Sequence, residues 1–126
     1  MKMTNQELLG NIQKLSGVAQ KQLPVKVSYA ISKNINKIES ELKIYDKERQ
    51  KLIDKYAQKA DGKPLSDEKG QIVFKPECKK DWDKNIKALL DIENEIDIHK
   101  FSIDELNGFN VSPAELQAID YMIDEK

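Results

Sequence analysis

The stretch that decides the fold is residues 24–59, which read PVKVSYAISKNINKIESELKIYDKERQKLIDKYAQK. Apolar side chains return along it at helical spacing, in seven steps from position 31 to position 56, a period of about 3.6 residues. The stripe comprises Val27, Ile31, Ile35, Ile38, Leu42, Tyr45, Leu52 and Tyr56. This pattern predicts one helix over about 24–59, with Pro24 in the first turn, where its missing N–H costs nothing.

Shorter elements flank the long helix in the sequence. Capping-box patterns, Thr4-x-x-Glu7 and Ser112-x-x-Glu115, each precede an apolar periodic run. Together with the other periodic segments they predict helices over about 5–21, 76–93 and 113–124. Short strands are predicted over about 71–74 and 95–100, with a flexible loop at 60–70. The first strand pairs either with residues 63–66, as a hairpin, or with the second strand.

These elements predict a mainly α fold with a small β component (α+β). It consists of a long-helix hairpin or bundle, short strands and a C-terminal helix, in a single domain over residues 1–126. Charged residues make up 34% of the chain and hydrophobic residues 39%, which argues against disorder.

The charge balance limits the partners of the protein. The 21 lysines and arginines nearly match the 22 acids, so the chain has no general field that would attract DNA, RNA or an anionic membrane. Cys78 is the single cysteine, which excludes an intrachain disulfide. The sequence shows neither a signal peptide nor an apolar run long enough to span a membrane. It therefore predicts a cytoplasmic protein.

The length of the long helix predicts a homo-oligomer. About 34 helical residues span roughly 50 Å, whereas a compact domain of this size is roughly 35 Å wide. The apolar stripe continues into the overhang, and the neighbouring helices are shorter, so a partner chain is expected to cover the remainder. The alternative is an elongated monomer in which three helices of one chain suffice.

Arg49 interrupts the apolar stripe, four residues after Tyr45 and three before Leu52. An arginine on a buried seam needs a carboxylate or phosphate partner, so Arg49 is a candidate anion-binding residue at a subunit seam. In the simpler interpretation its head pairs with Glu48 or Asp46 while its stem lies on the seam.

A second candidate is the start of the long helix, where Lys26, Tyr29 and Lys33 project beside exposed N–H groups. These residues can hold a phosphate and stack a ring, or they form a solvated lysine face with Tyr29 packed on the first helix. Trp82, among lysines, can stack a base or belong to the core. The ligand-binding candidates are Arg49, Lys26, Tyr29, Lys33, Tyr45 and Trp82.

No catalytic or metal motif stands out in the sequence. His99 is the single histidine; the strand alternation points it outward, and no paired nucleophile or ligand cluster accompanies it. The five glycines are scattered rather than grouped into a phosphate loop. We therefore expect no enzyme activity, no cofactor and no metal site.

Several segments carry a family resemblance. They are residues 23–34, 48–52, 96–98, 101–106 and 112–116. In these segments the chain resembles a family of short proteins of undefined activity that are encoded by tailed phages and prophages of low-GC Gram-positive bacteria. The resemblance covers most of the chain outside residues 60–75. It implies a viral origin and expression in a bacterial cytosol, and it assigns no functional residues.

Two functional hypotheses follow. The first is a homo-oligomeric phage protein that counters host defence by sequestering a nucleotide-type immune signalling molecule. The second is a protein-interaction module, either an inhibitor of a host protein or a scaffold or chaperone in virion assembly, which uses the exposed helical stripe. A nucleic-acid binder and a nucleotide hydrolase are less favoured, because of the net charge and the missing acid/base pair.

Overall fold

The fold is mainly α with a small β component, and the computed structural model describes residues 1–124. In chain order the helices are α1 (Asn5–Val18), α2 (Val25–Tyr56), α3 (Lys79–Leu90) and α4 (Pro113–Ile119). The strands are β1 (Lys2–Thr4), β2 (Lys59–Ala60), β3 (Lys63–Pro64), β4 (Glu93–Glu95), β5 (Phe101–Ser102) and β6 (Ile123–Asp124). Short 3₁₀ turns lie at Pro76–Cys78, Ile103–Leu106 and Asp120–Met122.

The described chain forms two compact units. Unit 1 holds residues 1–42 and 93–124, and unit 2 holds residues 43–92. The stripe of α2 contributes buried residues to each unit. The single domain that the sequence suggests stays a prediction.

Unit 1 contains a contiguous apolar core. The region from residue 96 onward contributes five of its buried side chains, the N-terminal part of α2 four and α1 three. Burying one aliphatic side chain of this kind stabilises a fold by about 1.5–3 kcal/mol. The core residues are Met3, Leu8, Leu15, Val18, Val27, Ala30, Ile31, Ile38, Ile96, Phe101, Ala118, Ile119 and Met122.

Two small β pairings join distant parts of the chain within unit 1. β1 is antiparallel to β4, with Met3 opposite Asn94. β5 is parallel to β6, with Phe101 opposite Ile123, and α4 lies in the connection between them. These pairings limit the lengths of the adjacent helices, because the chain must leave α3 before β4 and α4 before β6.

Unit 2 contains a tight hairpin after α2. Asp61 and Gly62 both have positive φ, 54° and 77°, as a two-residue hairpin turn requires. Its strands are β2 and β3, and the chain then returns through residues 65–74. Ser66 bridges Ile72, and the Val73 N–H donates to the Leu65 carbonyl at 2.9 Å. Of the two pairings left open for 71–74, the one with 63–66 forms, although as an isolated bridge rather than a strand. The predicted loop at 60–70 contains the turn of the β2–β3 hairpin.

Several helices end earlier than predicted, and a competing contact accounts for two of these ends. The long helix ends at Tyr56 rather than near 59 because Ala57 bridges Phe74. The third helix ends at Leu90 rather than near 93, since Glu93 pairs with Thr4. The first helix ends at Val18 rather than near 21. The last helix ends at Ile119 rather than near 124, and its last predicted turn forms a 3₁₀ turn and β6.

Both predicted capping boxes form, and the second connects to α1. Ser112 Oγ accepts from the Glu115 N–H at 3.2 Å, and Glu115 Oε1 accepts from the Ser112 N–H at 3.0 Å. Lys21 Nζ lies 3.0 Å from the same carboxylate and donates to the Asn110 carbonyl. The Ser112 backbone N–H, followed by Lys21, lowers the pKa of Glu115 from its ordinary value of 4.5. The ionised carboxylate is therefore the form that the fold favours.

Replacing the Glu115 carboxylate should make the free energy of unfolding less sensitive to acid pH. A carboxyl whose pKa is lower in the folded than in the unfolded chain stabilises the fold above its unfolded pKa, and this contribution is lost as the pH falls through the folded pKa. We expect Glu115→Gln to lose less stability than the parent between about pH 5 and pH 3, in urea titrations at each pH. Glu39→Gln, on the exposed part of α2, should follow the parent profile, and identical profiles for all three proteins would contradict the assignment.

Candidate functional site

Three of the sequence candidates come together on one face of α2. Lys26, Tyr29 and Lys33 are spaced by three and then four residues, so their side chains are neighbours on the helix surface. Lys33 Nζ lies 5.3 Å from the centroid of the Tyr29 ring, within the range of a cation–π contact. The Tyr29 side chain is 54% exposed. It is therefore available to a ligand rather than packed away in the core.

A cavity of about 500 Å³ opens beside this face of α2. Its opposite wall is the segment that leads into β5 and the following 3₁₀ turn. The lining includes Lys26, Tyr29, His99, Lys100, Phe101 and Ser102. We call this cavity the unit 1 cleft. The Tyr29 and His99 rings meet edge to face, with centroids 5.4 Å apart and planes at 74°.

Asn34 holds the far wall in place. It is fully buried, and its Nδ2 donates to the His99 carbonyl at 2.9 Å while its Oδ1 accepts from the His99 N–H at 2.8 Å. Lys37 Nζ donates to the Asp97 carbonyl. Side chains of α2 thus satisfy backbone groups of Asp97 and His99. The Ile96 N–H donates instead to the Met1 carbonyl.

This arrangement corrects two sequence predictions. The strand expected over 95–100 is replaced by β4, Glu93–Glu95, and residues 96–100 lie outside any strand. Their alternation still has a physical basis, because Ile96 is buried and Ile98 packs on the core. His99, expected to point outward, is half-buried and lines the cleft.

The charge of the cleft favours an anion. Lys26 and Lys100 line it, and Lys33 lies over the ring of Tyr29, another lining residue. Glu105 also lines the cleft, and its Oε1 lies 3.6 Å from Lys26 Nζ. The Lys26 side chain is 75% exposed, so this ion pair contributes little stability and a more negative group can compete for the ammonium. The cleft therefore offers cationic donors beside aromatic faces.

The other three sequence candidates belong to unit 2. Arg49 and Trp82 line a second cavity of about 450 Å³ together with Phe74 and Lys79. The Trp82 and Phe74 rings are stacked, with centroids 4.2 Å apart and planes at 25°. Trp82 is half-buried rather than fully enclosed in the core.

The predicted pairing of Arg49 with an adjacent acid is wrong. Glu48 Oε1 pairs with Lys51 Nζ at 3.0 Å, and within residues 1–124 no carboxylate lies at ion-pair distance from the Arg49 guanidinium. Tyr45, one turn before Arg49, is only 6% exposed and belongs to the core of unit 2. Burial raises the pKa of the Tyr45 phenol, and the Arg49 charge acts in the opposite direction.

Sequence reasoning missed most of the residues that complete the two cavities. His99, Lys100 and Ser102 complete the unit 1 cleft, and Phe74 and Lys79 complete the other cavity. One signal was present in the sequence: Asn34 lies three residues after Ile31 and four before Ile38, on the apolar face. A buried amide needs hydrogen-bond partners, and these come from another segment of the chain.

Comparisons of the chain with protein-family models, with curated proteins and with solved structures found no match. The resemblance to phage proteins therefore stays a prediction. No helix within residues 1–124 combines the length and apolar character needed to cross a membrane. In the same part of the chain, no group of three His, Cys, Asp or Glu side chains is placed to hold a metal ion.

Removing the Asn34 amide should destabilise unit 1 strongly. Asn34→Ala leaves the His99 N–H and carbonyl without their partner, which we expect to cost about 2–4 kcal/mol. Asn36→Ala, at an exposed position of the same helix, should change stability by less than about 0.5 kcal/mol. Urea unfolding followed by circular dichroism gives both values. Equal midpoints for the two variants would show that the amide does not hold the segment.

Proposed function

We propose that this protein binds a small anionic, ring-bearing molecule of the nucleotide type in the unit 1 cleft. The observation that carries the proposal is the convergence of Lys26, Lys100, Tyr29 and His99 on one cavity of about 500 Å³. Binding sites for small molecules generally occupy about 300–1,000 Å³ and combine apolar surface with a few placed polar groups. The cleft has these properties.

The ligand's groups have matching partners in the cleft. A phosphate is held by the ammonium groups of Lys26 and Lys100, near the first-turn N–H groups of α2. A flat ring lies against Tyr29, which is already edge to face with His99. Lys33 over the same ring adds positive charge at the rim. The hydroxyl of Ser102 offers a further donor or acceptor.

We further propose that this binding sequesters a nucleotide-type immune signal and so counters host defence. The support is the sequence resemblance to phage proteins together with a cavity suited to a phosphate-bearing ligand. Sequestration requires affinity and no bond-making, which agrees with a cleft that presents donors and rings. In this proposal the protein acts in the bacterial cytosol as a binding protein, not as an enzyme.

Self-association is the second part of the proposal, and unit 2 supports it. An apolar groove of about 350 Å³ is lined by Leu52, Ala88, Leu89 and Ile92. Ile92 is 51% exposed. Ile44, one turn before groove residue Glu48 on α2, is 61% exposed. Exposed apolar side chains in a row mark an interaction surface. The alternative function, a module that binds a host or virion protein, uses this same groove.

Calorimetry against cyclic nucleotides and ADP-ribose derivatives tests ligand binding. We expect one member of the panel to bind, and Lys100→Gln to weaken it roughly tenfold, since a hydrogen bond to a charged group is worth about 1.5–3 kcal/mol. Tyr29→Ala should weaken it as well. Lys47→Gln, an exposed lysine of α2 in unit 2, should bind like the parent. No heat with any compound at high protein concentration would refute the proposed function.

Sedimentation tests the groove. We expect the parent chain to associate at micromolar concentration and Ile44→Ser to shift it toward the monomer, because a polar side chain there removes buried apolar contact. Leu65→Ser, at a residue 40% exposed elsewhere in unit 2, is the matched control and should leave association unchanged. A parent that sediments as a monomer would reject self-association. A stoichiometric host protein co-purified through the groove, and lost in Ile44→Ser, would favour the alternative.

A further inference from the structure

We propose that unit 2 carries a second binding site, for a phosphate or carboxylate group attached to a flat ring. The site is the cavity lined by Arg49, Gln71, Ile72, Phe74, Lys79 and Trp82, which we call the Arg49 cavity. This inference does not depend on the proposed function, because no residue of the unit 1 cleft takes part in it.

The first argument is the guanidinium of Arg49, which has no acidic partner among residues 1–124. The side chain is half-buried on a helix face that is otherwise apolar, between buried Tyr45 and Ile53. Arginine in such a position generally meets a carboxylate or phosphate in bidentate geometry. The adjacent Glu48 is engaged with Lys51 at 3.0 Å, and none of the ion pairs among residues 1–124 includes Arg49. The donors of Arg49 therefore remain available to an external anion.

The second argument is the pair of aromatic rings in the same cavity. Phe74 and Trp82 are stacked with their centroids 4.2 Å apart, which gives them a fixed and preorganised position. Ile72 adds apolar lining. A planar ligand can extend this stack, and base–aromatic stacking of this type is worth about 1–3 kcal/mol. The two rings give a ligand bound at Arg49 an apolar surface to pack against, which surface arginines usually lack.

Lys79 supplies the second positive charge. Its Nζ lies 5.7 Å from the Phe74 centroid and 3.1 Å from Asp83 Oδ1. Both side chains of that ion pair are 59% exposed, so the pair is weak and the ammonium can turn toward a ligand. None of the residues that line the cavity is acidic. The anion is thus attracted by two cations without a competing carboxylate in the cavity.

The arrangement selects a combined ligand rather than either half alone. A free phosphate would meet Arg49 and Lys79 but would leave the rings unused. A neutral ring would stack but would leave the guanidinium unpaired. A cavity of about 450 Å³ is large enough for a ring together with its anionic group. The amide of Gln71 can donate to the anion or accept from a ring substituent.

Trp82 makes the site directly observable, since it is the only tryptophan in the sequence. Intrinsic tryptophan fluorescence and the indole N–H resonance report on this cavity alone. We would titrate the full chain with phenyl phosphate and with benzoate. Inorganic phosphate and benzyl alcohol are the matched halves of the ligand. We expect the Trp82 signal to saturate with phenyl phosphate or benzoate. Saturation should occur at concentrations at least tenfold below those needed with inorganic phosphate or benzyl alcohol.

Variants separate the Arg49 cavity from the unit 1 cleft. Arg49→Gln should weaken phenyl phosphate binding at least tenfold, and Arg49→Lys should weaken it less because the charge remains without the planar fork. Two control variants should bind phenyl phosphate like the parent. Lys47→Gln removes an exposed lysine of α2 near Arg49, and Tyr29→Ala changes the unit 1 cleft. Thermal unfolding checks that the Arg49 variants remain folded, as expected for a side chain without an ion pair.

Any of three results would overturn the inference. One is a Trp82 signal that does not saturate with phenyl phosphate or benzoate. Another is a titration in which Arg49→Gln binds as tightly as the parent while remaining folded. Equal affinity for phenyl phosphate and inorganic phosphate would also overturn it, because the rings would then contribute nothing. Loss of nucleotide binding in the calorimetric panel would not affect this outcome, since the probes and the reporter belong to unit 2.

Discussion

Burial of one face of α2 is the constraint on which the structure of unit 1 depends. Val27, Ala30, Ile31 and Ile38 are almost inaccessible to solvent, and a single helix cannot keep such a stripe dry by itself. The chain therefore returns from β4 onward to cover it. Because Asn34 lies within the same buried face, that return must also satisfy an amide. The two hydrogen bonds between Asn34 and the His99 backbone hold the far wall of the cleft opposite Lys26 and Tyr29.

The two cavities use the same chemistry with different degrees of preorganisation. Each places cations beside aromatic rings. In the unit 1 cleft the lysines are exposed, and Lys26 lies 3.6 Å from Glu105. In the Arg49 cavity a planar guanidinium stands beside stacked rings, with its neighbouring acid engaged elsewhere. A geometry fixed before binding loses less entropy when a ligand arrives, so the two proposals together predict that the Arg49 cavity is the more selective site.

Local sequence signals predicted the parts of the site that one helix builds. Lys26, Tyr29 and Lys33 share a face because of the helical repeat alone, and Lys33 lies over the Tyr29 ring. The same reasoning could not find His99 or Lys100, which lie more than sixty positions later in the chain. The separate candidates Arg49 and Trp82 belong to unit 2. Periodicity states which side chains share a face, and it does not state which segment covers that face.

The sequence by itself determined the mainly helical class, the long helix α2, both capping boxes and the break at Asp61-Gly62. Each of these depends on residues within a few positions of one another, through backbone geometry and short-range hydrogen bonds. Only the tertiary structure decided where the helices end, which strands pair and what faces Lys26 and Arg49. Thr4 meets Glu93 and Phe101 meets Ile123 across long stretches of chain. Such contacts depend on how the whole unit buries its apolar surface, and no local pattern encodes that competition.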